Sequence, residues 1–151
     1  MKNGIWLYGL SGSGKTYASR YISTLMSNAF LIDGDTVREL ISQDLSYDES
    51  SRAIQRQRIL GLAKIAIRNG CKPIISTVTM SDKIFIECKE LCIDVLRIER
   101  TTSQLVNVRN FYTDGTSNVV GIDIPDKRFD TVVVQNDGDE KFLERIKSIV
   151  K

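Results

Sequence analysis

The run Gly9-Leu10-Ser11-Gly12-Ser13-Gly14-Lys15-Thr16 constrains the fold of this chain more than any other feature. It fits G-x-x-x-x-G-K-[ST], a loop that wraps a phosphate in backbone N–H groups. Glycines permit the dihedrals that turn those donors inward. The loop sits between a strand and a helix N-terminus, whose unpaired first-turn N–H groups add to the anion site. The flanks here agree. Ile5-Trp6-Leu7-Tyr8 is apolar and strand-like, and residues 17–26 have helical spacing, which disfavours a glycine-rich turn that matches by chance. Gly9, Ser11, Gly12, Ser13, Gly14, Lys15 and Thr16 are therefore expected to bind ATP. Within that set Lys15 reaches the β- and γ-phosphates and Thr16 ligates Mg²⁺.

The rest of the chain alternates strand and helix patterns. Apolar runs at 5–8, 30–33, 73–78, 93–98 and 131–134 read as strands. Helical spacing lies near 14–26, 36–43, 50–69, 81–91, 102–109 and 139–150. Short apolar strands separated by helices predict an α/β fold, a five-stranded parallel sheet covered on both faces, with residues 1–151 as one domain. Ligands of such sheets bind beyond the carboxyl ends of the strands, which would gather Gly9, Asp33, Asp35, Ser76 and Thr77. The longest stretch without periodicity is 110–130, and a loop of that size is expected to be a lid or binding loop, at about 109–123.

Composition narrows the classes of partner. A net charge of +2 is too small to argue for nucleic acid or a membrane surface, and no apolar run approaches a bilayer span. Residues 1–6 lead almost directly into the first strand, which leaves no room for a targeting peptide, so a cytoplasmic location is expected. Three cysteines, Cys71, Cys88 and Cys92, argue against a disulfide framework. Cys88 and Cys92 are expected to share one helix face, and buried apolar thiols are preferred to a zinc site. The chain has no histidine, so proton transfer falls to a carboxylate, a lysine or water.

A second motif, Ile32-Asp33-Gly34-Asp35-Thr36-Val37-Arg38, puts two carboxylates at a strand end. Asp35 can cap the following helix, and Asp33 and Asp35 can also hold Mg²⁺ or accept a proton. Alone, Asp-Gly-Asp is commonly a turn; behind a P-loop the functional reading is preferred. Arg52, Gln55 and Arg56 fall on one face of the long helix, with Arg58 pointing elsewhere. Guanidiniums suit phosphate, although a solvated basic face is the plainer reading of that pattern.

With these residues in view, the sequence resembles the adenylyl-sulfate (APS) kinases, P-loop kinases that use MgATP to phosphorylate the 3′-hydroxyl of adenosine 5′-phosphosulfate. The resemblance runs from Trp6 to about Asp130. It rests on the ordered series Trp6 to Thr16, Asp33 to Arg38, Asp44-Leu45-Ser46-Tyr47, Arg52, Gln55, Ala63-Lys64, Gly70 and Val120-Gly121-Ile122-Asp123-Ile124-Pro125. It implies a three-layer P-loop kinase fold, in which Lys15, Asp35 and Asp33 are catalytic and Arg109 is an ATP-side arginine. It also implies that Asp35, Arg38, Tyr47, Arg52, Gln55, Val119, Gly121 and Ile122 face a nucleotide acceptor, with Thr16 and then Asp33 as Mg²⁺ ligands. Family members are often dimers, so a homodimer is a further expectation.

The departures from the family bear on the acceptor. Tyr47 replaces a phenylalanine that packs on the base, and Gln55 replaces an asparagine. Val119 stands where the family has a second aromatic. The lid is shorter, and its basic stretch has become Phe111-Tyr112-Thr113-Asp114-Gly115-Thr116. Ser76-Thr77-Val78-Thr79-Met80 replaces a Phe-Ile-Ser-Pro-like run. Adenylyl sulfate is the default acceptor. A cytidine diphosphate-linked acceptor is the alternative, as in the cytidine diphosphoramidate kinases of bacterial capsule modification, which resemble APS kinases. A shikimate- or gluconate-type kinase and a catalytically inactive P-loop nucleotide sensor are the readings of other classes.

Overall fold

The first strand is apolar throughout, so it must be covered on both faces, and it takes a central place in the sheet. In the computed structural model, which describes residues 2–151, Trp6, Leu7 and Tyr8 have no exposed surface. The strands are β1 (Gly4–Tyr8), β2 (Ala29–Asp33), β3 (Lys72–Thr77), β4 (Ile93–Glu99) and β5 (Val132–Gln135). They pair in the order β2-β3-β1-β4-β5, all parallel, as expected. The helices are α1 (Lys15–Leu25), α2 (Gly34–Leu40), α3 (Glu49–Arg68), α4 (Asp82–Glu90), α5 (Thr102–Val108) and α6 (Lys141–Val150).

The period-2 alternation of β1 divides the core. Trp6 and Tyr8 face Ile32, Ile59, Leu60, Ile75, Ile84 and Cys88, the layer under α3 and α4. Ile5 and Leu7 face Ala18, Ile22, Ile74, Leu96, Ile98, Phe142 and Ile146, the layer under α1 and α6. Burying each large apolar side chain stabilises the fold by about 1.5–3 kcal/mol. Asp48 starts α3 by accepting from Ser51 N at 2.8 Å, and Ser81 starts α4 by accepting from Ile84 N at 3.4 Å.

Two local expectations are corrected. Asp35 does not cap α2. Gly34 already lies in that helix, Asp33 is the flanking residue without a side-chain cap bond, and Asp35 falls inside the first turn. Cys92 does not share a helix face with Cys88. Helix α4 ends at Glu90, and Cys92 lies beyond it at φ 55, exposed, while Cys88 is buried and Cys71 is half-buried. The region 110–130 is also more ordered than its lack of periodicity suggests. It opens with a 3₁₀ turn at Asn110–Tyr112 and carries a bridge between Val120 and Ile124. Its return to the sheet is fixed by Arg97 of β4, whose guanidinium donates to both carboxylate oxygens of Asp126, at 3.0 and 2.6 Å. Burial works against the Arg97 charge, but Asp126 and Glu99 hold it firmly protonated.

Candidate active site

The glycine pattern resolves into two steric demands. At Gly9 a Cβ would stand 2.2 Å from Ile98 O, so the loop leaves β1 pressed against β4. At Gly14, φ is +104 and a Cβ would stand 2.5 Å from Asn136 Nδ2, just before α1 begins. Asn136 is buried at the end of β5, donates to Ser13 O at 2.9 Å and accepts from Gly138 N at 3.0 Å. It clamps the loop from the sheet side. From the other side Tyr112 donates its hydroxyl to Ser11 O at 2.7 Å, and Arg100 donates to Gly12 O at 3.2 Å.

Lys15 is buried, and its Nζ donates to Gly9 O at 2.7 Å and Leu10 O at 2.9 Å. Burial pushes its pKa down to about 8, against the pull of the Asp35 and Asp33 carboxylates, which favour the charged form. Thr16 donates its hydroxyl to Asp33 Oδ1 at 3.2 Å, across the gap from α1 to β2. A hydroxyl and a carboxylate oxygen side by side next to a phosphate loop are a donor set suited to Mg²⁺.

The loop opens into a cavity of about 310 Å³. Ser11, Gly12, Gly14, Lys15, Thr16, Asp33, Asp35, Arg38, Tyr47, Arg52, Gln55 and Arg109 of the expected set line it. The sequence therefore brings together one wall from the phosphate loop and α1 and another from β2, α2, α3 and the end of β3. Gly9 and Ser13 lie behind the loop. Ser13 is buried, and its Oγ has no partner among the described residues.

On the α2 and α3 side, the arginines are held by neutral oxygens. Arg38 donates to Ser46 O at 2.8 Å; Arg52 donates to Tyr47 O at 2.8 Å and to Asn118 O at 3.0 Å. Both guanidiniums flank the Tyr47 ring, at 4.2 and 5.6 Å from its centroid. Burial and the neighbouring Arg38 charge pull the Arg52 pKa below its usual value. Gln55 is buried. Its Nε2 donates to Gly34 O at 3.0 Å, and its Oε1 has no partner among the described residues. Such unpaired oxygens at a cavity wall are acceptors available to a ligand.

Three expected acceptor residues lie elsewhere. Val119, Gly121 and Ile122 do not line this cavity. Val119 is buried, and its N–H, with that of Asn118, is taken by Asp123 at 2.6 and 2.7 Å. A Cβ on Gly121 would stand 3.1 Å from Leu10, and Ile122 is exposed. The short lid folds on itself as a tight turn closed by Asp123. Conversely, Arg56, Thr79, Arg100 and Asn136 belong to the site or its support, and the expected set omitted them. The sequence held a signal for Arg56, which shares a helix face with Arg52. Nothing local marked the other three, which arrive through strand pairing.

Residues 2–104 match the family model described as adenylylsulphate kinase. This chain belongs to the adenylylsulphate kinase family. It is a kinase of the P-loop class, and its family relatives transfer phosphoryl groups to hydroxyl acceptors. A cytidine diphosphoramidate kinase from Campylobacter jejuni is 28% identical over 167 aligned positions, covering 100% of this kinase and 98% of the relative. An adenylyl-sulfate kinase from Chloroflexus aurantiacus is 33% identical over 79 positions, which take in 50% of this kinase and 42% of that protein. The structure of the Mycobacterium tuberculosis APS kinase in complex with AMPPNP and APS shares the fold at a TM-score of 0.81. Identity there is 16%, with 99% of this kinase and 97% of that chain covered.

Proposed function

We propose that this kinase transfers the γ-phosphoryl group of ATP to the 3′-hydroxyl of a small nucleotide that carries an anionic head group. One observation carries the reading. The phosphate loop, the Asp33 and Asp35 carboxylates and the Arg38-Tyr47-Arg52 cluster line a single cavity. The backbone N–H groups of the loop and Lys15 hold the donor phosphates, and Lys15 stabilises charge that develops on the transferred group. Thr16, with Asp33 beside it, would hold the metal; Mg²⁺, when bound, neutralises the phosphate oxygens. Asp35 orients the acceptor hydroxyl and takes its proton. Arg38 and Arg52 bind the acceptor's 5′-phosphoryl group, and Tyr47 offers the base one ring face. Arg109, whose Nε donates to Ser11 Oγ at 3.3 Å, attends the donor.

For the acceptor we favour a cytidine diphosphate-linked nucleotide such as cytidine diphosphoramidate. Two findings support it. The similarity to the Campylobacter jejuni enzyme runs the length of both chains. The position of the family's second aromatic is Val119, which is buried outside the cavity that Tyr47 and Tyr17 line, and a platform without that ring suits a smaller base. Adenylyl sulfate is the second reading, supported by the family model and the adenylyl-sulfate kinases that match half the chain. Initial rates with cytidine diphosphoramidate, adenylyl sulfate and gluconate at equal subsaturating concentration test this. Fastest turnover of the cytidine compound is expected. Exclusive use of adenylyl sulfate reverses the order of the two readings. Rapid phosphorylation of gluconate alone removes the nucleotide acceptor, and absence of any ATP turnover leaves a sensor.

A further inference from the structure

Two cavities meet along one short stretch of wall. Beside the large cavity lies a second, of about 230 Å³, reaching toward Met80, Ile124 and Pro125. Arg52, Arg56 and Thr79 line both. Arg56 Nη1 donates to Thr79 Oγ1 at 2.5 Å, while its Nε is buried without a partner among the described residues. Thr79 is itself fixed. Its carbonyl accepts from Thr77 Oγ1 at 2.8 Å, and Thr77 Oγ1 accepts from the buried Trp6 Nε1 at 2.7 Å. The guanidinium is thus aimed into the throat by a chain of bonds that starts in the core.

The protein answers this charge only at a distance, through Glu49. Among the described residues no carboxylate forms an ion pair with Arg38, Arg52 or Arg56. Arg58, on the same helix but turned away, does have such a pair, with Asp44 at 2.7 Å. A half-buried guanidinium with an unpaired N–H is suited to receive an anion. Arg38 and Arg52 crowd around Tyr47 and can serve one phosphoryl group together. Arg56, one turn further along α3 on the same face as Arg52, is held by Thr79 and not by the Tyr47 segment, and can serve a second. Glu49 and the Lys127–Asp82 ion pair also line the smaller cavity.

We propose that Arg56, positioned by Thr79, binds the terminal anionic group of an acceptor bearing two consecutive phosphoryl-type groups, the first of which is held by Arg38 and Arg52. The inference rests on the nucleotide-acceptor reading above and makes a nucleoside diphosphate-class acceptor, not a monophosphate, the fitting ligand.

Calorimetric titration of the full chain, with Mg²⁺ and the donor site saturated by a non-hydrolysable ATP analogue, tests it with CMP, CDP, AMP and ADP as probes. The wild type should bind each diphosphate roughly thirtyfold more tightly than its monophosphate, the gain of a charge-assisted bidentate contact. Arg56→Gln should erase that gain and leave monophosphate affinity unchanged. Arg56→Lys, a point charge without the planar fork, should keep part of it. Equal affinity for mono- and diphosphate in the wild type overturns the role of Arg56 while the nucleotide reading stands. Equal loss on both classes in Arg56→Gln overturns it too, since that marks a purely structural residue. If none of the four nucleotides binds while the ATP analogue does, both inferences fall together.

Discussion

Lys15 is held by the carbonyls of its own loop, and its charge is maintained against burial by Asp35 and Asp33. Its two roles can be separated. Lys15→Ala should cut turnover at least a hundredfold, on the order of 3 kcal/mol, with the fold intact by circular dichroism. Near-normal turnover would remove phosphoryl transfer at this loop. For stability the sign is opposite. The folded pKa of about 8 lies below the ordinary 10.5, so the unfolded chain binds more protons between those values. The burial cost is fully present below pH 8 and is relieved as pH rises toward 10.5. Lys15→Met should therefore stabilise the unliganded protein at pH 7 by roughly 1–3 kcal/mol, and by less at pH 9.5. Parallel urea midpoints for the two proteins at both pH values would contradict this. Asp35→Asn tests the acceptor side. Because Asp35 makes no cap bond, the exchange should cost stability only through its weakened support of the Lys15 charge and should change ATP binding little, while abolishing turnover. Normal turnover would move the base to Asp33. The loop residues and both carboxylates were legible because each motif is local in sequence. Thr79 and Asn136 were not, since their neighbours lie 23 and 123 residues away.

At the scale of elements, α3 carries Arg52, Gln55 and Arg56, so its first turn sets where three side chains stand. That turn is fixed by Asp48, which accepts from Ser51 N, Ser50 Oγ and Ser46 Oγ at 2.8, 2.9 and 2.8 Å. These bonds hold its carboxyl far below the usual range, so its contribution is present above the ordinary carboxylate pKa and fades as pH falls below it. Asp48→Ala should raise the acceptor KM severalfold and leave the ATP KM unchanged, because α1 and its loop do not touch this turn. An equal rise in both constants would mean that α3 supports the whole cavity. The strands and helices were legible to within about three residues because apolar period and buried face coincide. Helix α2 shows where that fails. Ile41 N and Ser42 N both turn back to Val37 O, so the helix stops at Leu40 although helical spacing continues to residue 43.

At the scale of the molecule, the segment from Arg109 to Asp126 touches both walls of the cavity. Tyr112 reaches Ser11 on the loop, and Asn118 receives Arg52 from α3. Residues 113–117 between these contacts are exposed, as is Arg109. If the segment closes over bound ligands, tryptic cleavage after Arg109 should slow at least fivefold with ATP analogue and acceptor together, and less with either alone. Cleavage indifferent to both would make it a fixed wall. The lid was legible as a long gap in periodicity, but its inner packing was not, because Asp123 closes it through backbone N–H groups that leave no pattern in side-chain type. The sheet order has a consequence for how such a molecule changes over time. β1, β4 and β5 support the phosphate loop, whereas β2, β3 and α3 support the opposite wall, and the two are joined by the β1–β3 seam, the packing of α1 on β2 and β3 and the Thr16–Asp33 bond. The side chains that face the acceptor, on α2 and α3, are nonetheless different from those that hold the donor on the loop and α1. A lineage can exchange the molecule it modifies without relearning how to handle its energy source, and descendants of one ancestor can then work in unrelated pathways.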